Sequence, residues 1–132
     1  MKKILIDTNA YASFLNGDET VLDALAQAQT VYMSVFVLGE LQAGFRGGKK
    51  QKQNRAQLEE FLKKPSVSIL DATRETSEIF GQIKHSLKKA GNQIPINDVW
   101  IASHVFETGS LLVSYDSHFL KVPGLRIWDE LT

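Results

Sequence analysis

The strongest constraint on this chain is the rhythm of its apolar residues. Short runs, Lys3-Ile4-Leu5-Ile6, Thr30-Val31-Tyr32-Met33, Val67-Ser68-Ile69-Leu70 and Leu111-Leu112-Val113, are separated by segments in which apolar residues recur every three to four positions. A short continuous apolar run suits a strand covered on both faces of a parallel sheet, and the 3.6 period between runs marks helices. The first helix is expected after Asp7-Thr8-Asn9, three good capping side chains, with Ala10, Tyr11, Phe14 and Leu15 on its apolar face. Asn16-Gly17 stops it, and Val21, Leu22, Leu25 and Ala28 mark a second. Ser34 caps a third carrying Val37, Leu38, Leu41 and Phe45; Leu58, Phe61 and Leu62 belong to a fourth that ends before Pro65. Ile79, Phe80, Ile83 and Leu87 lie on a long helix starting at Asp71 or Thr73 and closed by Gly91. A capped helix runs from about Asn97 to Glu107, a short helical turn spans 116–120, and Leu125-Arg126-Ile127 reads as a last strand. Strands alternating with helices give βαβ units. The expectation is an α/β fold: one domain over 1–132, with a central parallel sheet of four to five strands and helices on both faces.

Composition narrows the function classes. At 132 residues, 43% hydrophobic and 23% charged, the chain falls in the ordinary globular range, against disorder or a collagen-like structure. With no cysteine it has no disulfide, thiolate metal site or cysteine nucleophile. Its apolar runs are far shorter than the about 20 residues that span a bilayer. Lys2 and Lys3 precede too short an apolar run for a signal-peptide core. A cytoplasmic protein without a membrane partner is expected. Fifteen Lys and Arg balance fifteen Asp and Glu, which argues against a protein that coats nucleic acid with bulk charge.

Ligands of open parallel sheets bind beyond the carboxyl ends of the strands, and four acids fall there. Asp7 ends the first strand and Asp116 follows the fourth, while Glu40 and Asp98 are placed in the first turns of helices that begin at that edge. Each has a simpler reading alone: Asp7, Asp98 and Asp116 as caps or turn residues, Glu40 as a half-exposed helix flank. Yet Asp98 lines up with Ile101, Ala102, Val105 and Phe106, and a carboxylate aimed at a core costs several kcal/mol unless it is paired or bound to a cation. Four acids converging on one edge repel one another, so a divalent cation or retained protons must offset them. The donors are all oxygen, and His85, His104 and His118 lack metal-ligand spacing. That selects Mg²⁺ or Mn²⁺ over zinc, an ion class suited to phosphate chemistry.

The segments Ile4-Leu5-Ile6-Asp7-Thr8-Asn9, Glu40 on the helix after the second strand, Asn97-Asp98-Val99-Trp100-Ile101-Ala102, and Leu112-Val113-Ser114-Tyr115-Asp116-Ser117-His118-Phe119, taken in order, resemble the PIN-domain ribonucleases. Within them the chain is most similar to the toxins of VapBC-type toxin–antitoxin modules, over essentially its whole length. The resemblance implies a Mg²⁺- or Mn²⁺-dependent endoribonuclease whose acids are Asp7, Glu40, Asp98 and Asp116. Water attacks the phosphodiester to leave a 5′-phosphate and a 3′-hydroxyl. It also implies supporting roles for Ser114, which stands where the family often has threonine, and for Asn9, as a hydrogen-bond partner of Asp7 or of a metal-bound water. The expected partners are RNA, a VapB-type antitoxin that covers the site, operator DNA reached only through that antitoxin, and a second copy in a homodimer.

Phosphate contacts are expected from Arg46, Lys49, Lys50, Lys52 and Arg55, a stretch with no acid that follows the helix bearing Glu40. A solvated helix start is the simpler alternative. Trp100 lies opposite the apolar face of its helix and needs a partner in another layer, a second copy or the antitoxin. Tyr115 is placed to stack on a base, and Phe119 to pack in the core. Without the four acids, 11 acidic residues face 15 basic ones, a surplus of +4, so neutrality describes an acidic pocket on a mildly basic body. Two other readings stay open: a catalytically silent PIN fold and a receiver-like regulatory module that accepts phosphate on a strand-end aspartate.

Overall fold

A computed structural model describes residues 2–131. The four apolar runs form β1 (Lys3–Ile6), β2 (Thr30–Ser34), β3 (Val67–Leu70) and β4 (Leu111–Val113). All pair in parallel in the order β3-β2-β1-β4, with Ile4 opposite Val31 on one side and Leu111 on the other. Ile4, Leu5 and Ile6 have no exposed surface, as a central strand covered on both faces requires. Burying each such side chain contributes roughly 1.5–3 kcal/mol. At the β3 edge the pattern relaxes, and Ile69 is exposed.

The helices are α1 (Thr8–Leu15), α2 (Glu19–Gln27), α3 (Val35–Phe45), α4 (Gln51–Leu62), α5 (Arg74–Ala90) and α6 (Ile96–Thr108), followed by a 3₁₀ turn at Ser117–Lys121. Local chemistry sets most of their ends. Asp7, Asp18 and Ser34 accept the first free amides of α1, α2 and α3, Thr73 forms a capping box with Thr76, and Gly91 closes α5 in the left-handed region. The chain steps from β1 to β2 to β3 in one direction, then crosses back to β4. Right-handed crossovers therefore place α1–α4 on one face of the sheet and α5–α6 on the other. Tyr11 and Phe14 of α1 meet Phe61 of α4 at 5.3 and 5.4 Å between ring centroids. The reversal of direction falls between β1 and β4, where such sheets open a crevice at their carboxyl edge.

Three expectations change. Residues 125–127 form one parallel bridge, Leu112 to Ile127, rather than a strand. Gly124 turns the chain with a positive φ just before it, and Trp128 leaves it to tuck into the core. α6 begins at Ile96 behind Pro95, which has no capping side chain, so Asp98 is not a cap. α6 is buried on most sides, which a single apolar stripe understates. Val99, Ser103 and His104 are as enclosed as Ile101, Ala102 and Val105, while Phe106 is 40% exposed beside Ile79, Ile83 and Val122. Trp100 finds its partners within the chain, stacked between Phe80 of α5 at 3.9 Å and Phe36 of α3 at 4.9 Å.

Candidate active site

The site is assembled from strand ends and the opening turns of helices at the β1/β4 crevice. β1 delivers Asp7, which is only 4% exposed. Its Oδ1 accepts the amide of Ala10 at 2.9 Å, and its Oδ2 accepts a hydrogen bond from Ser114 Oγ at 2.5 Å. Asp7 therefore caps α1 and also faces the crevice. β4 delivers Ser114, fully buried, whose Oγ also accepts the amide of Asp116 at 2.9 Å. The carbonyl of Ser114 is held from behind by the indole N–H of Trp128 at 2.6 Å. Asp116 caps the 3₁₀ turn by accepting the amide of His118 at 2.9 Å, and buried Phe119 anchors that turn in the core.

Asp98 lies on the third residue of α6 and is 9% exposed. Burial, then the charge of Asp116, push its carboxyl up to about 6, with Glu40 and Asp7 adding to the rise and His118 offsetting part of it. Burial also raises Asp7, partly offset by the Ser114 and Ala10 hydrogen bonds and increased by the charges of Asp116 and Glu40. Asp98 thus feels the charges of Asp116, Glu40 and Asp7, and Asp7 those of Asp116 and Glu40, so the four carboxylates lie close to one another. Glu40 reaches the crevice from the second turn of α3 rather than the first, and Thr8 Oγ1 donates to its Oε1 at 2.6 Å.

Asn9 is exposed and makes no hydrogen bond to Asp7 among the described residues. Its neighbour Thr8 is the residue of that motif engaged with an acid. Arg46, Lys49, Lys50, Lys52 and Arg55 are all exposed, and none forms an ion pair with a described acid. Four residues separate the end of α4 from the amino end of β3, so the basic stretch that leads into α4 lies at the opposite end of that helix, on the side of the sheet's carboxyl edge. Tyr115 is 41% exposed, donates to Asp18 at 2.9 Å and packs edge-on against Trp128 at 5.2 Å between ring centroids.

One residue of the cluster escaped sequence reasoning. His118 Nδ1 lies 3.0 Å from Asp116 Oδ1 and 3.4 Å from Asp98 Oδ2, and donor atoms of these three side chains fall within 4.8 Å of one another. The other histidines are elsewhere. His85 is exposed on α5, and buried His104 spends both ring nitrogens, on Ser34 Oγ at 2.8 Å and the Asp71 carbonyl at 3.2 Å. Burial lowers the pKa of His104, so it serves as a neutral tie between α6 and the ends of β2 and β3.

A parallel four-stranded sheet with acids converging beyond its β1/β4 switch point is the arrangement of the PIN domain, and the chain belongs to that family, whose model matches residues 4–125. Over 96% of its length it is 32% identical to ribonuclease VapC2 of Rickettsia felis, covering 98% of that protein. It is 31% identical to ribonuclease VapC2 of Haemophilus influenzae, with 96% of each chain covered. Among solved structures it is similar to VapBC2 of Rickettsia felis bound to a DNA fragment from its promoter, with a TM-score of 0.82 and 28% identity over 96% of this chain and 97% of that one. DNA-bound VapBC of Salmonella typhimurium superposes with a TM-score of 0.85 at 26% identity, covering 97% and 98% of the two chains. Family membership removes the receiver-like reading.

Proposed function

We propose that this chain is the endoribonuclease toxin of a VapBC-type toxin–antitoxin pair, hydrolysing RNA phosphodiesters with the help of Mg²⁺ or Mn²⁺. The observation that carries the reading is the placement of Asp98, a carboxylate only 9% exposed whose oxygen lies within 4.8 Å of donor atoms of Asp116 and His118, and which burial and its acidic neighbours push up to about 6. A protein that needed Asp98 only for folding would be more stable without that charge. A cation resolves the conflict, and the donor set fits one. Asp7, Glu40, Asp98 and Asp116 offer hard oxygen donors in mutual electrostatic contact. Such an ion neutralises the pocket, makes water acidic enough to act as nucleophile near neutral pH and offsets charge building on the phosphate.

The chain's own residues do the rest. Ser114 holds Asp7 and Asp116 at a common spacing through one hydroxyl, and Thr8 orients Glu40. Below about pH 6 Asp98 holds a proton that a bound cation would displace, which would make occupancy fall as pH drops through that range. The basic stretch that leads into and opens α4, with Lys49, Lys50, Lys52 and Arg55, meets phosphates flanking the scissile one, and Tyr115 offers a ring to a base. The rest of the expected setting follows from the resemblance: a VapB-type antitoxin over the pocket, operator DNA through that antitoxin, a homodimer and a cytoplasmic location. Among the described residues no helix is long and apolar enough to cross a membrane.

The test is cleavage of RNA by the purified chain. Cleavage is expected with Mg²⁺ or Mn²⁺, to cease with chelator, and to leave 5′-phosphate ends. Asp7→Asn and Asp98→Asn should each cost at least about 10²-fold, the order expected when a group that stabilises transition-state charge is removed. Undiminished cleavage by both folded variants would overturn the assignment.

A further inference from the structure

Resting on that metal-nuclease reading, we propose that His118 is a nitrogen ligand in the same site, making it a mixed Asp98–Asp116–His118 donor set that favours Mn²⁺ over Mg²⁺. Cis donors about 2.1 Å from an octahedral ion stand about 3.0 Å apart. His118 Nδ1 stands 3.0 Å from Asp116 Oδ1 and 3.4 Å from Asp98 Oδ2. It is buried but meets neither oxygen with hydrogen-bond geometry, although the imidazole side chain is 45% exposed at its other end. A histidine serving as a hydrogen-bond donor would align with one carboxylate. This one is aimed between two.

The backbone supports the placement. Asp116 Oδ1 accepts the His118 amide at 2.9 Å, so the 3₁₀ turn that presents one donor presents the other in fixed register. The turn is anchored by Phe119, which has no exposed surface. Imidazole is a softer donor than carboxylate, and replacing one oxygen with it shifts preference from Mg²⁺ toward first-row transition ions. No other histidine competes, because His104 has both nitrogens engaged and His85 lies exposed on α5.

The experiment is pulsed electron paramagnetic resonance of Mn²⁺ added to the full-length protein, with Mn²⁺ and Mg²⁺ affinities measured by titration. The wild type should show ¹⁴N modulation from a coordinated imidazole. His118→Asn should abolish it and weaken Mn²⁺ by at least about 10-fold, since losing a ligand costs no less than losing a group that only orients one, with a much smaller effect on Mg²⁺. The His85→Asn variant should keep the modulation. Bound Mn²⁺ that depends on Asp98 yet shows no ¹⁴N modulation would overturn the role of His118 and leave the nuclease reading intact. Equal weakening of the two ions would overturn the Mn²⁺ preference. Failure to bind Mn²⁺, or binding indifferent to Asp98→Asn, would overturn both.

Discussion

Ser114 Oγ donates to Asp7 Oδ2 at 2.5 Å across the junction of β4 and β1. The same hydroxyl takes the amide of Asp116 at 2.9 Å, so one buried oxygen sets the spacing of two acids that are 109 positions apart in sequence. Ser114→Ala removes both hydrogen bonds with little change in volume. Cleavage should fall about 10–100-fold, as it does when groups that orient metal ligands are removed. Because the Ser114 bond pulls the Asp7 pKa down, its removal lets burial raise that group further. The acid limb of the rate–pH profile should therefore move upward. Ser114→Thr keeps the hydroxyl and should keep most of the activity, an outcome that a purely space-filling serine would not require.

Much of the fold and site is legible in the sequence because short-range chemistry decides it. The apolar runs become β1 to β4, and Asp7, Ser34 and Gly91 end or start helices where their side chains or conformational freedom require. The four acids can be placed at one edge because parallel strands all deliver their carboxyl ends there. His118 is not legible, since its nearness to Asp98 depends on how the 3₁₀ turn packs against α6, 20 positions away in sequence. Neither is the Thr8–Glu40 pair, which bridges α1 and α3. Trp128 acts through its indole N–H on the Ser114 carbonyl, an interaction with no periodicity to announce it.

Thr8→Val tests the second positioning interaction. Valine matches threonine in shape but cannot donate to Glu40 Oε1, now 2.6 Å away. Asp7 still caps α1 through Ala10, so folding should change by no more than about 1–1.5 kcal/mol, the net worth of one hydrogen bond. Cation affinity should drop about 10-fold or more, with partial recovery in Thr8→Ser. Chemical denaturation and isothermal titration calorimetry of the same samples separate the two effects.

The raised carboxyl of Asp98 gives the metal-free protein an inverted pH dependence. Its pKa is 3.8 when unfolded and about 6 when folded, so between these values the folded state holds more protons. Ionising Asp98 thus costs nothing below about pH 4, and the cost grows as pH rises to about 6 and stays above it. Thermal unfolding in chelator should accordingly show a contribution that lowers the melting temperature from about pH 4 to about pH 6.5. Asp98→Asn should flatten that slope and raise stability at about pH 7.5 by about 1–2 kcal/mol. Saturating Mn²⁺ should do the same to the wild type and nothing to the variant. A wild-type slope unchanged by Asp98→Asn would show that some other group carries it.

The basic stretch that opens α4 separates affinity from chemistry. Lys49, Lys50 and Lys52 are exposed, lie just before and within the first turn of α4 and make no ion pairs with described acids. Replacing all three with alanine removes three positive charges without opening a cavity. If they meet phosphates, KM for a long RNA should rise while kcat changes far less. The slope of log affinity against log salt should become shallower by about 0.7 for every single-strand phosphate that the variant no longer neutralises. Against a substrate too short to reach past the acids, the triple variant and the wild type should behave alike. Equal salt slopes for variant and wild type on long RNA would mean that the chain draws its substrate in through another surface, and that this turn is only solvated.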